Sequence, residues 1–152
     1  MRSSIATFAT PDTPSIPLFA LRAEDLGTWL TSQPERLRSW ADASGFKAGA
    51  GQVLSLPDDA GRPLVAVVGL GDAAARARGR FALAAAPARL PLACYHIASQ
   101  HEPDWLAEQA LGWLLASYRF DRFRRTEAAP LPQLKAPDGV DPVRLEIMAA
   151  AE

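Results

Sequence analysis

Apolar and polar positions alternate between two periods along this chain, and the switches between them mark the elements. Residues 1–15 carry Pro11, Pro14 and several Ser and Thr, which predicts a flexible or edge-lying leader. "IPLFAL" at 16–21 reads as the first strand, and the core is expected to begin there. Glu24 and Asp25 open a short helix through Leu30. Ser32 and Glu35 have the spacing of a capping box, with Pro34 in the first turn of a second helix. Leu37, Trp40, Ala41 and Ser44 then recur at helical spacing, and Gly45 is placed to end the helix in a left-handed conformation. "QVLSL" at 52–56, the turn-rich "PDDAGRP" and the run Leu64–Val68 predict an antiparallel hairpin.

Beyond the hairpin, "FALAAAPARLP" is apolar enough for a helix, but Gly79, Pro87 and Pro91 interrupt it, so helix and irregular chain both remain open. "LACYHIA" at 92–98 reads as a strand. The strongest helical pattern runs from Pro103 to about Arg122, with Leu106, Ala110, Trp113, Leu114 and Ser117 on one face. Its acidic start and basic end suit the helix dipole. An extended "EAAPLPQLKAP" follows, and Val140–Glu152 reads as a helix still running at the last residue, with Asp141 as cap and Pro142 at its first position. Strands interleaved with helices, one hairpin and no internal repeat predict an α/β fold around a mixed sheet.

Composition narrows the function classes. The 152 residues are 49% hydrophobic and 22% charged, enough for one domain to bury a core. Sixteen Lys and Arg against seventeen Asp and Glu leave a net charge of -1, which argues against nucleic acid or an anionic membrane as partner. No stretch approaches the ~18 apolar residues of a membrane span. A single cysteine, Cys94, inside an apolar run fits a small buried side chain and a reducing, cytoplasmic compartment.

Candidate chemistry is sparse. Gly69, Gly71 and Ala74 in "VVGLGDAA" fit the permissive spacing of a dinucleotide-binding turn. That fingerprint needs an acidic residue about 20 positions on for the ribose. Between Ala73 and His101 there is none, so the glycines read as shaping a tight strand-to-helix turn. His96 and His101 are the only histidines and lack the i, i+4 spacing of paired metal ligands. On a strand His96 would share a face with Cys94, opposite Tyr95. No G-x-S-x-G elbow occurs. The pairs Glu24/Asp25 and Asp58/Asp59 fall at a helix start and in a turn, where capping and solvation explain them. The arginine clusters at 75–80 and 119–125 read as solvated charge or an interface rim. These residues yield no catalytic, cofactor-binding or metal-binding assignment.

The segment "LGWLLASYRFDRFRR", residues 111–125, resembles a signature near the end of the N-terminal domain of two-metal leucyl aminopeptidases. Gly112, Trp113, Leu115, Tyr118, Phe120, Asp121, Phe123 and Arg124 carry the likeness, and "VVGLGD" resembles a second, weaker family motif. "APDGVDPVRLEIMAAAE" is similar to the start of the helix joining that domain to the catalytic one. The resemblance implies a three-layer α/β/α sandwich like that of macro domains, spanning 16–138, with 139–152 beginning the link to a catalytic domain outside this sequence. It implies that both divalent metal ions belong to that other domain, whose motifs do not occur here. It further implies a parent that is a homo-hexamer, with this domain serving assembly and access to the active site. The alternative carried by the same resemblance is a macro-like module that binds a nucleotide or ADP-ribose.

Overall fold

The structure, a computed structural model, describes residues 8–78, 82–123 and 132–151, with the side chains of Arg78 and 118–123 left aside. Five strands form one sheet: β1 (Ile16–Arg22), β2 (Val53–Pro57), β3 (Pro63–Gly71), β4 (Cys94–Ile97) and β5 (Gln133–Leu134). Their order across the sheet is β2-β3-β1-β4-β5. β2 pairs antiparallel with β3, which bears out the hairpin, and every other pairing is parallel. The helices are α1 (Leu26–Thr31), α2 (Glu35–Ala43), α3 (Ala73–Arg78), α4 (Ala86–Arg89), α5 (Pro103–Phe123) and α6 (Pro142–Ala150).

The central strands are apolar on both faces because helices cover both. From β1, Leu18 and Ala20 enter one core with Ala66, Val68 and Leu70 of β3, beneath α4, α5 and α6. Leu21 of β1 and Val67 of β3 enter the other, with Phe19 and Val65 against it and Leu37 and Ala41 of α2 above. This is the three-layer α/β/α arrangement with a mixed sheet. Tyr95 of β4 and Trp113 of α5 anchor the larger core with ring centroids 6.2 Å apart. Burial pushes the Tyr95 phenol up to about 12, and its hydroxyl donates to Pro91 O at 2.7 Å.

Several expectations need correction. The Ser32/Glu35 capping box does not form: Ser32 Oγ donates back to Trp29 O at 2.7 Å, ending α1. Pro34 precedes α2 instead of lying inside it, and its carbonyl accepts from Leu37 and Arg38 N–H at 3.0 and 3.1 Å. The segment left open between helix and irregular chain is a 3-10 turn at Ala82–Ala85 running into α4, with Pro87 in the first turn of the helix where its missing N–H costs nothing. β4 is shorter than the apolar run at 92–98. The last helix ends at Ala150, and Ala151 N–H donates to Ile147 O at 3.1 Å. The core also starts before Ile16: Phe8 is buried in it, and Ala9 bridges Lys135 beside β5.

Other expectations stand. Gly45 adopts φ 73° and closes α2, with Phe46 N–H on Ala41 O and Gly45 N–H on Asp42 O. Asp141 caps α6 through bonds from Val143 and Arg144 N–H at 3.1 and 3.2 Å. On α5, Ala110, Trp113 and Leu114 are buried as the periodicity requires, while Leu106 and Ser117 are only partly so. Gln109, a polar residue on the same helix, is buried too, and its Oε1 accepts from Leu83 N–H at 3.1 Å.

Candidate functional site

Parallel strands leave their carboxyl ends open to a cleft where the connections diverge to either side, and ligands of α/β proteins collect there. Here that edge is formed by β1, β3 and the chain after β4. Gly69 and Gly71 lie at the end of β3, opposite Leu21 and Arg22 of β1; Gly69 is a strand residue, and the strand-to-helix turn that the spacing predicts is made by Gly71 alone, the last residue of the strand. Packing demands the glycine at 69: a Cβ there would come within 2.2 Å of Gly49 O and 2.4 Å of Ala48 C. The loop from Ala48 to Gln52 is bonded directly to this strand end, with Gly71 N–H on Ala48 O at 2.9 Å and Gly69 N–H on Gln52 O at 2.8 Å. Gly71 has φ 79°, the left-handed geometry that turns the chain into α3.

That turn is poorly suited to a phosphate. Asp72 Oδ1 accepts from Ala75 N–H at 2.8 Å, so a carboxylate already occupies the start of the six-residue α3. Arg76, the described cation of the first arginine cluster, makes a two-pronged pair with Glu24 at 3.1 and 2.9 Å and also donates to Gly71 O at 2.7 Å. The pairing holds the Glu24 carboxyl below its ordinary range. Arg22 is likewise paired with Asp25 at 2.6 Å, which raises its already high pKa. Asp58 accepts from Ala60 and Arg62 N–H at 2.8 and 2.9 Å, a turn role that depresses its pKa, while Asp59 pairs with Arg36.

Two adjoining clefts open at this edge and share Leu70, Arg76 and Trp105. One, about 470 Å³, is walled mainly by alanines of α3 and the 82–85 turn; the other, about 630 Å³, by Arg22, Asp25 and His101. Sequence reasoning missed Trp105, Arg76 and Arg22 as neighbours, because the parallel pairing of β1 with β3 and the placing of α5 beside them bring them together. The signal was weak: one aromatic in the first turn of an amphipathic helix.

The two histidines do not meet on one site. His101 stacks on Trp105 with centroids 4.2 Å apart, and its Nε2 bonds Ser99 Oγ at 2.7 Å. Ser99 Oγ in turn accepts from Ala20 N–H at 3.0 Å, so the serine splices the end of β4 onto β1. Burial, then the nearby Arg22, lowers the His101 pKa. His96 bonds Ser15 Oγ through Nδ1 at 2.7 Å, and burial followed by Lys135 lowers its pKa. Tyr95 points into the core, whereas its neighbours Cys94 and His96 are half-buried, as the strand alternation requires. Burial pushes the Cys94 thiol up, away from thiolate reactivity. Among the described residues no group of three or more His, Cys, Asp and Glu could hold a metal ion.

In the 111–125 motif, Gly112 and Trp113 are buried on α5 and Leu115 is partly buried. Tyr118, Phe120, Asp121 and Phe123 belong to the last turns of that helix, and their side chains, with Arg124 and the rest of the second arginine cluster, lie outside the described residues.

Comparison with known proteins supplies the family. The crystal structure of cytosol aminopeptidase from Coxiella burnetii superposes with a TM-score of 0.78 at 22% identity, covering 93% of this chain and 30% of that one. The bottromycin maturation enzyme BotP superposes with a TM-score of 0.54 at 20% identity, over 91% of this chain and 30% of the other. In sequence, a mycothiol acetyltransferase from a Nocardioides species is 39% identical over 127 residues, covering 76% of this chain and 37% of that protein. The chain thus spans about a third of the length of these relatives. The family model of the M17 aminopeptidase N-terminal domain matches residues 16–137, and the chain belongs to that family.

Proposed function

We propose that this chain is the non-catalytic N-terminal domain of a metal-dependent aminopeptidase that removes N-terminal amino acids from peptides. Its role is to help assemble the parent enzyme and to shape access to the active site. The parent on this reading is a cytoplasmic homo-hexamer whose catalytic domain holds two divalent metal ions. The family match over residues 16–137 carries the reading. One further feature supports it: the cations Arg22 and Arg76 at the open sheet edge are spent on ion pairs. Among the described residues no helix is long and apolar enough to cross a membrane.

The test is hydrolysis of leucine p-nitroanilide with added manganese, zinc or cobalt. The 152-residue chain is expected to show no turnover, and the parent containing the catalytic domain is expected to be active. Metal-dependent turnover by the pure short chain would overturn the proposal.

A further inference from the structure

The connections that leave β1 and β3 part company at the open sheet edge. The chain after β1 runs through α1 and α2 on one face, where Leu37 and Ala41 are buried, while the chain after β3 runs through the 82–85 turn and α4 on the other, where Leu83 and Ala86 are buried. A crevice between the two strands is the consequence, and in open α/β sheets small ligands bind in such a crevice. Both clefts at this edge lie in it.

The cleft of about 470 Å³ owes its room to small side chains. Ala50, Ala75, Ala82, Ala84 and Ala85 line it where larger residues would fill the space, and Leu70 and Trp105 complete an apolar wall. Its volume lies in the range of small-molecule sites, and its lining takes an apolar group. A flat ring suits Trp105 best.

The neighbouring cleft of about 630 Å³ is charged but balanced. Arg22 and Asp25 line it as one ion pair, Arg76 is paired with Glu24, and Glu102 is a lining carboxylate with no ion pair among the described residues. Glu24 and Gly71 O engage three of the Arg76 guanidinium N–H groups and leave the others for a ligand. A ligand with a net negative charge meets Asp25, Glu24 and Glu102 here, and one with a net positive charge meets Arg22 and Arg76. A zwitterion finds a partner for each end.

Leu70, Arg76 and Trp105 belong to both clefts and so mark their junction. We propose that this junction binds a free amino acid with a large apolar side chain: its carboxylate on Arg76, its ammonium group toward Glu102 in the polar cleft, and its side chain among the alanines. The three groups carried by one α-carbon match the three surroundings that meet there. Every contact is supplied by this chain, so the site goes beyond the reading under Proposed function and does not depend on it.

Calorimetric titration of L-phenylalanine into the 152-residue chain is the experiment. Saturable binding with a Kd below about 1 mM is expected, since charge-assisted hydrogen bonds at both ends add to burial of the ring. Phenethylamine, which lacks the carboxylate, and hydrocinnamate, which lacks the ammonium group, are each expected to bind at least about tenfold more weakly. Ala84→Leu narrows the apolar cleft at a residue outside the buried core, and there too affinity is expected to fall at least about tenfold. Glu102→Gln, at an exposed position, should weaken L-phenylalanine about threefold or more while hydrocinnamate is not weakened. No saturable binding up to about 10 mM, or binding of either one-ended analogue as tight as that of L-phenylalanine, would overturn the proposal. So would undiminished affinity in a folded Ala84→Leu variant or in Glu102→Gln, which decides the matter should the first variant fail to fold.

Discussion

Glycine 69 shows how one missing side chain fixes the geometry of the open sheet edge. The Ala48–Gln52 loop lies directly against the strand there, and the obstructing atoms are backbone, which cannot rotate aside. Gly69→Ala is therefore expected to cost about 3 kcal/mol or more, at the upper end of overpacking effects, read as a fall in the thermal midpoint. The glycine spacing was legible in the sequence, but its cause was not. The missing ribose-binding acid argues against a dinucleotide turn, but that the glycine is needed because a Cβ would come within 2.2 Å of Gly49 O is seen only once the Ala48–Gln52 loop is known to cross the strand end. The same holds for Arg76: nothing local announces that Glu24 neutralises it, because that pair closes over 52 residues of chain, whereas Arg22 meets Asp25 three residues on.

At the scale of elements, the caps show where local chemistry decides and where it is overruled. Asp141 followed by Pro142 is a helix start in sequence and in structure, and its carboxylate satisfies two N–H groups. Asp141→Ala should destabilise α6 by about 1 kcal/mol, measured as faster amide exchange in that helix with α5 unchanged. Ser32 and Glu35 have equally good spacing, yet the hydroxyl is taken by the end of α1. A cap spacing read alone cannot tell which of two abutting helices will claim the hydroxyl. The strands and the long helix were legible because alternation and helical periodicity sustained over many residues leave one solution. The two-residue β5 was not, since an isolated Gln133–Leu134 carries no period at all.

For the whole molecule, titration couples both sides of the sheet to pH. His96 and His101 are held below the ordinary histidine value of about 6.5, chiefly by burial. The unfolded chain therefore takes up protons more readily than the folded one in this range. Stability from these groups is complete above pH ~6.5 and is lost as the pH falls from there through their folded values. Glu24 and Asp58, also depressed, add a second loss below the carboxylate range. Urea midpoints between pH 7.5 and 5 are expected to decline, and His101→Gln should flatten that decline. An unchanged slope in the variant would show that His101 takes no part. Fold and family were readable from sequence at this scale, whereas the junction of the two clefts became visible only once β1, β3 and α5 were set side by side.

Phe8 and Ala9 tie the stretch before β1 to β5 and α6. Phe8 plugs the larger core, its N–H holds Glu146, and Ala9 N–H donates to Leu134 O at 3.0 Å along the border of the sheet. A fragment trimmed to residues 16–137 would keep every strand yet forfeit Phe8, Leu145 and Ala149 together, baring an oily flank and an unguarded sheet margin. The packed core thus reaches beyond both ends of the segment by which the family is recognised.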